Sequence, residues 1–199
     1  MALKNEGNGL FPIFLKLDQL KTLIVGGGNV GLEKLEALLK NNPEAKVKLV
    51  GTVIQQSIKD LVQDHEGVEL VERSFRETDL DDVDVVILAT ENRALHISIL
   101  QQAKSRKLLV NVADTPDLCD FYLGSTVKKG NLKIGISTNG KSPTFAKRFR
   151  EVLEEVLPED IDSLLDNLHE IRNSLKGDFS HKVKVLDEVT AVLRKDGIK

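Results

Sequence analysis

The chain has 199 residues, 41% of them apolar and 30% charged, with a net charge of −3 and a single cysteine. That size suits one ordinary core with an appendage or two small domains, and the balance of apolar and charged residues excludes a disordered or fibrous chain. No apolar run is long enough to cross a bilayer. The opening MALKNEGNGLFPIFLKL lacks the charged start and cleavage site of a signal peptide. A lone cysteine closes no internal disulfide, so a soluble protein of the reducing cytoplasm is expected.

In chain order, KTLIVGGG (21–28) reads as an apolar strand entering a glycine turn, and NVGLEKLEALLKNN as a helix stopped at Asn42-Pro43. AKVKLVG (45–51) is a second strand, IQQSIKDLVQDH (54–65) a second amphipathic helix and VELVE (68–72) a short third strand. DVDVVILAT (82–90) has the near-continuous apolar run of a strand covered on both faces. RALHISILQQAKSR (93–106) is a third helix and KLLVNVA (107–113) a fifth strand. Strand and helix alternate, which predicts an α/β fold with a Rossmann-type, doubly wound parallel sheet over residues 1–114.

Beyond residue 114 the rhythm changes. STVKKGNLKIGIST reads as a hairpin turning at Lys129-Gly130-Asn131, and SPTFAKRFREVLEEVL as a helix with Ser142 as N-cap and Pro143 at its first position. DIDSLLDNLHEIRNSL (160–175) and HKVKVLDEVTAVLRK (181–195) form a helical tail, with Gly177 between them. The boundaries predicted are a small β/α segment over 115–150 and a helical region over 151–199.

Gly26, Gly28 and Gly31 make G-x-G-x-x-G between a predicted strand and helix. The first glycine makes the tight turn, the second admits a pyrophosphate to the backbone, and the third lets helix and strand close together. Unpaired N–H groups at the helix start add attraction for the phosphates. Dinucleotide binding is therefore expected at Gly26, Gly28, Asn29, Val30 and Gly31. The acid that usually holds the adenosine ribose is missing, because the second strand ends Leu49-Val50-Gly51-Thr52. Thr52 and Val53 are the candidates there, and NAD against NADP is left open at that position. Thr90, ending the fourth strand, is the candidate beside the rest of the cofactor.

Charge is segregated along the chain. From Phe121 to Arg150 there is no acid, but there are seven bases: Lys128, Lys129, Lys133, Lys141, Lys147, Arg148 and Arg150. Removing these seven from the 28 basic residues leaves 21 against 31 acids, about −10 for the remainder. An anionic partner is expected on this segment, or else a solvated face or a contact with an acidic patch of another subunit. Nucleic acid is disfavoured, since aromatics for base stacking are scarce there. The four histidines and the cysteine show no H-x-x-x-H or C-x-x-C spacing, so no permanent metal site is expected.

Several blocks resemble one known family: FPIFLKLD, LIVGGGNVGLEK, ILATEN, VNVADTPDLCDF and ISTNGKSPTFAKRFRE. Their order and spacing resemble the N-terminal module of siroheme synthase, a precorrin-2 dehydrogenase that in some members is also a sirohydrochlorin ferrochelatase. The resemblance implies NAD-dependent oxidation of precorrin-2 to sirohydrochlorin, with Fe²⁺ insertion as a second activity of some members. It implies a homodimer, with 115–150 as the dimerisation and substrate-binding segment. It matches Asp114 to the family's catalytic aspartate, which would also meet the metal during chelation. Early tetrapyrroles carry eight carboxylates, and Lys128, Lys141, Ser142 and Arg148 are the residues expected to hold them. Asp117 and Asp120 are expected to cap a turn or pair with lysines, and Cys119 to be a small buried side chain. The chain departs from the family pattern at Gly124, where proline is common, and at Asn139, where glycine is common. A competing reading is a non-catalytic dinucleotide-sensing module similar to those of potassium transport systems, which needs no cradle for a polyanion.

Overall fold

Leu23, Ile24 and Val25 are almost wholly buried, which makes KTLIV the centre of a sheet and not its edge. The coordinates are a computed structural model that describes residues 7–191. Residues 1–6 of the opening segment and 192–199 lie outside the described residues, and the last helix, expected to reach Lys195, ends at Val189 with Thr190 as its C-cap. The chain divides into two compact units, Met1–Leu123 and Gly124–Lys199.

In the first unit the elements are β1 (Lys21–Val25), α1 (Asn29–Asn41), β2 (Lys46–Gly51), α2 (Gln56–Leu61), β3 (Val68–Glu72), β4 (Val85–Leu88), α3 (Arg93–Ser105) and β5 (Leu109–Val112). The five strands form one sheet in the order β3-β2-β1-β4-β5, with every pairing parallel. Alternate residues of β1 face opposite layers. Ile24 packs with Leu35, Leu38 and Leu39 of α1 and Ile58 of α2. Leu23 and Val25 pack with Ile99 and Ala103 of α3 and with Leu80. This is the doubly wound α/β arrangement, and the strand order reverses between β1 and β4.

The crossover from β3 to β4 is fastened by a buried acid. Asp79 lies in a short 3-10 turn (Glu77–Leu80), with its side chain 1% exposed. It accepts two 2.7 Å bonds from the Arg73 guanidinium and a 2.8 Å bond from the Arg76 N–H. Lys48 Nζ of β2 sits 2.9 Å away. The Arg73 guanidinium, ahead of Lys48 and the Arg76 N–H, holds the Asp79 carboxyl well below the usual carboxylate range, while burial pushes the other way.

The second unit contains β6 (Ser125–Lys129) and β7 (Leu132–Ile136), an antiparallel pair, followed by α4 (Pro143–Val156), α5 (Ile161–Ser174) and α6 (Phe179–Val189). Gly130 turns the hairpin at φ +55, and the Asp162 carboxylate receives the Asn131 N–H (2.7 Å) across it. Gly124 stands at the entry to β6, where a Cβ would lie 2.7 Å from the Ile136 carbonyl oxygen. The close approach of β7 explains a glycine here. Asn139 adopts φ +53, the left-handed geometry a glycine would supply.

Candidate functional site

Because all five strands are parallel, the loops after β1, β2, β4 and β5 gather at one edge of the sheet. That edge carries the glycine turn, Thr52 and Val53, Thr90, and Asp114. Ligands of open α/β sheets bind there, beside the point where strand order reverses.

The glycine turn is shaped for a ligand on one side only. Gly26 has φ +128, and a Cβ on it would lie 2.2 Å from the Ala89 carbonyl oxygen. A Cβ on Gly31 would lie 2.0 Å from the Gly26 oxygen, so α1 seats on β1 only with hydrogen at position 31. Gly28 is different: a Cβ there would meet nothing within 4 Å. Gly28 is also the N-cap of α1, with no side-chain cap bond and no acid in the first turn. The first intrahelical bond runs from the Leu32 N–H to the Gly28 oxygen (2.9 Å), so the N–H groups before it have no partner within the helix. These residues fit a dinucleotide pyrophosphate, with Asn29 and Val30 supplying N–H groups.

The loop after β2 is tied on two sides. Gln55 donates its backbone N–H to the Gly27 oxygen (3.0 Å) and its side-chain amide to Asn29 Oδ1 (2.9 Å). On the far side the Ile54 N–H donates to Glu72 Oε1 (3.2 Å), and Lys59 Nζ to Glu72 Oε2 (2.8 Å). Lys59, then the Ile54 N–H, lowers the Glu72 carboxyl below its ordinary value. The acid absent from the end of β2 is thus present at the end of β3, where it holds the loop. Thr52 and Val53 remain exposed between the tethers, with Val53 69% exposed. Gln55 and Glu72 were not legible as site residues, because their partners are distant in sequence.

Thr90 follows β4 and abuts the glycine turn, its Cγ2 lying 3.2 Å from where a Gly26 Cβ would stand. Its hydroxyl oxygen accepts the Asn92 N–H (3.3 Å) and lies 2.8 Å from Nε2 of the buried His96. His96, which the third helix could carry to the site or leave as an outward or satisfied histidine, is buried and belongs to this edge.

The segment after β5 separates its acids by role. The Asp120 carboxylate accepts the Val110 N–H (3.0 Å) and pairs with Lys104, and its own N–H donates to the Val110 oxygen. Cys119 Sγ lies 3.2 Å from both the N and the O of Val112, and Asn111 Nδ2 donates to the Phe121 oxygen (2.8 Å). Residues 119–121 thereby occupy the free edge of β5, and burial pushes the Cys119 thiol up. Asp120 pairs with a lysine as expected. Asp114 stands apart. It has φ +55, is exposed, and its carboxylate makes no hydrogen bond or ion pair among the described residues. It stands two strands from the glycine turn along the same edge, about 10 Å by strand spacing, with Thr90 between.

The cations belong to the second unit. Lys129 is consumed by the C-terminus of α4 and by Glu159 (2.8 Å), and Arg150 pairs with Glu154 (3.2 Å). Lys128, Lys141, Lys147 and Arg148 are exposed and enter no ion pair among the described residues. Lys128 stands directly opposite Lys133 across the hairpin, which concentrates positive charge. Ser142 caps α4, its Oγ accepting the Phe145 N–H (3.1 Å). Among the described residues, no helix is long and apolar enough to cross a membrane.

Comparison with known proteins follows the same division. The pattern of a family described as putative NAD(P)-binding matches residues 13–125, and that of the sirohaem biosynthesis protein central region matches 129–155. The chain is similar to a siroheme synthase of Psychrobacter cryohalolentis, 36% identical over 166 residues, covering 83% of this chain and 31% of that protein. A siroheme synthase of Pseudoalteromonas translucida is 35% identical over 170 residues, with 85% and 35% covered. The chain thus spans about a third of the length of these curated relatives. Among solved structures, SirC, described as a precorrin-2 dehydrogenase, shares the fold with a TM-score of 0.72 at 23% identity, over 90% of this chain and 89% of that one.

Proposed function

Because the chain belongs to the putative NAD(P)-binding family, as the module shared with siroheme synthases, we propose that it oxidises precorrin-2 to sirohydrochlorin with NAD. The observation that carries this reading is the unpartnered Asp114 carboxylate on the sheet edge that bears the open glycine turn.

NAD, when bound, supplies the acceptor for a hydride. The protein does the rest. The backbone at Gly28 and the N–H groups of Asn29 and Val30 hold the pyrophosphate. Thr52 and Val53 flank the adenosine ribose, and Thr90 meets the nicotinamide end. Oxidation of the reduced macrocycle removes a hydride and a proton together, and Asp114 accepts the proton. The free cations Lys128, Lys141 and Arg148 match the carboxylates of a tetrapyrrole, with Ser142 in the turn that presents them. Insertion of Fe²⁺ into sirohydrochlorin also displaces ring N–H protons, and would draw on the same carboxylate. A cytoplasmic setting suits the unpaired thiol of Cys119.

A homodimer is part of the proposal. Phe145, Phe149, Val152 and Val156 lie at helical spacing on α4 and are 42–65% exposed, with the two phenylalanine rings stacked 5.8 Å apart. Such a stripe on a soluble chain calls for a cover, and a second copy supplies an identical one about a two-fold axis. Light scattering should give twice the chain mass for the wild type, and Phe149→Glu should give a monomer. A monomeric wild type would refute this part.

Two experiments test the rest. Gly28→Ala should keep the fold, since its Cβ meets no protein atom and φ −92 suits alanine. It should weaken NADH binding at least about tenfold, because the methyl occupies the phosphate's path. Undiminished binding would remove the pyrophosphate from this turn. Titration with sirohydrochlorin, followed by absorbance, should show saturation at micromolar concentration. No binding would favour the dinucleotide-sensing module.

A further inference from the structure

The His96 side chain is an unusual tenant for its place. It is 4% exposed on the face of α3 that also carries Ile99 and Ala103, both fully buried. Leucine would fill such a position without the cost of burying an imidazole. Among the described residues, its Nε2 lies 2.8 Å from Thr90 Oγ1, and the ring also bonds to the Thr90 backbone. Burial lowers the pKa of His96, so the ring is neutral at pH 7, with one nitrogen a donor and the other an acceptor.

The Thr90 hydroxyl has one proton and two lone pairs. The Asn92 N–H takes one lone pair, at 3.3 Å. If His96 Nε2 is bare, Thr90 gives it the proton and keeps one lone pair. If Nε2 bears hydrogen, Thr90 accepts it and keeps the proton. Either tautomer leaves Thr90 a single capacity in a fixed direction, beside the glycine turn. Without the imidazole, the hydroxyl would rotate among its staggered orientations.

We propose that His96 is a positioning residue for dinucleotide binding, holding the Thr90 hydroxyl in the one orientation that meets the nicotinamide end of the cofactor. This rests on the dinucleotide reading of the sheet edge. His96 acts through Thr90, and its contribution vanishes when that hydroxyl is absent. A residue kept only to fill the α3 face would not show that dependence.

The test is NADH affinity, read by fluorescence, with the melting temperature measured alongside. His96→Leu should weaken binding about three- to tenfold, from lost orientation and one lost hydrogen bond. His96→Gln, which returns a polar atom near the Nε2 position, should stay within about twofold of wild type. In a Thr90→Val background, His96→Leu should change nothing further, since the hydroxyl it orients is gone. Wild-type affinity in His96→Leu would overturn the inference, as would an equal loss in the Thr90→Val background. In either case the dinucleotide reading would stand. A wild-type protein that binds no NADH would overturn that reading and the inference with it.

Discussion

Replacing Asp114 with asparagine is expected to slow precorrin-2 oxidation about 10²- to 10⁴-fold, the range a positioned general base contributes, while leaving the fold and NADH affinity near wild type. The substitution is chosen for the backbone. Residue 114 sits at φ +55, and asparagine is as much at home in left-handed geometry as aspartate. The side chain keeps its size but loses its charge and its ability to take a proton. Because the Asp114 carboxylate has no partner among the described residues, its loss leaves no buried group unpaired. Steady-state rates with saturating NAD would measure the effect, with melting temperature and NADH titration as controls. Wild-type turnover in Asp114→Asn would remove this residue from the chemistry.

The second large effect is on stability. Asp79→Asn should destabilise the first unit by about 3 kcal/mol at neutral pH, the lower end for breaking a buried ion pair. It leaves Arg73 and Lys48 facing each other with no anion between them. Both cations are about a quarter exposed, with side chains at 27% and 28%, so water relieves part of the loss. The folded carboxyl titrates well below its unfolded value of about 3.9. Its stabilisation is therefore complete above that value and is lost as pH falls through the folded pKa. Denaturant melts at neutral and acid pH should show the gap between wild type and Asp79→Asn closing in acid. A gap under about 1 kcal/mol at neutral pH would mean that the pair is screened like a surface one.

The two effects mark what could be read from the residues and what could not. DVVILAT and LIVGGG announce strands because a strand covered on both faces must be apolar at every position, and the glycine spacing carries its own geometry. The residue types at 26, 28 and 31 therefore located the turn before any coordinates. The helix expected over 54–65 is different. Its regular part is only Gln56–Leu61, followed by a 3-10 turn at Val62–Asp64. Gln55 is extended (ψ 147) and serves as N-cap, its N–H held by the Gly27 oxygen, so the helix starts later than its apolar pattern suggests. The last helix begins at Phe179 and not His181, because Asp178 caps it by accepting the His181 N–H at 2.9 Å.

The pairings that shape the site were invisible for one reason. Glu72 with Ile54 and Asp79 with Lys48 join residues that periodicity places on separate elements, and only the parallel sheet brings those elements to a common edge or face. In VNVADTPDLCDF the resemblance sets Asp114 apart, while Asp117 and Asp120 are expected to cap a turn or pair with lysines. The coordinates separate them, since Asp120 is spent on the edge of β5 while Asp114 is left open.

The most direct test of the proposed chemistry is to supply the wild-type protein with NAD and precorrin-2 and follow both absorbances in one cuvette. The hydride and proton account predicts NADH and sirohydrochlorin appearing together, one for one, at a rate proportional to enzyme. Sirohydrochlorin accumulating with no reduced nucleotide, or neither product rising above the enzyme-free rate, would contradict it.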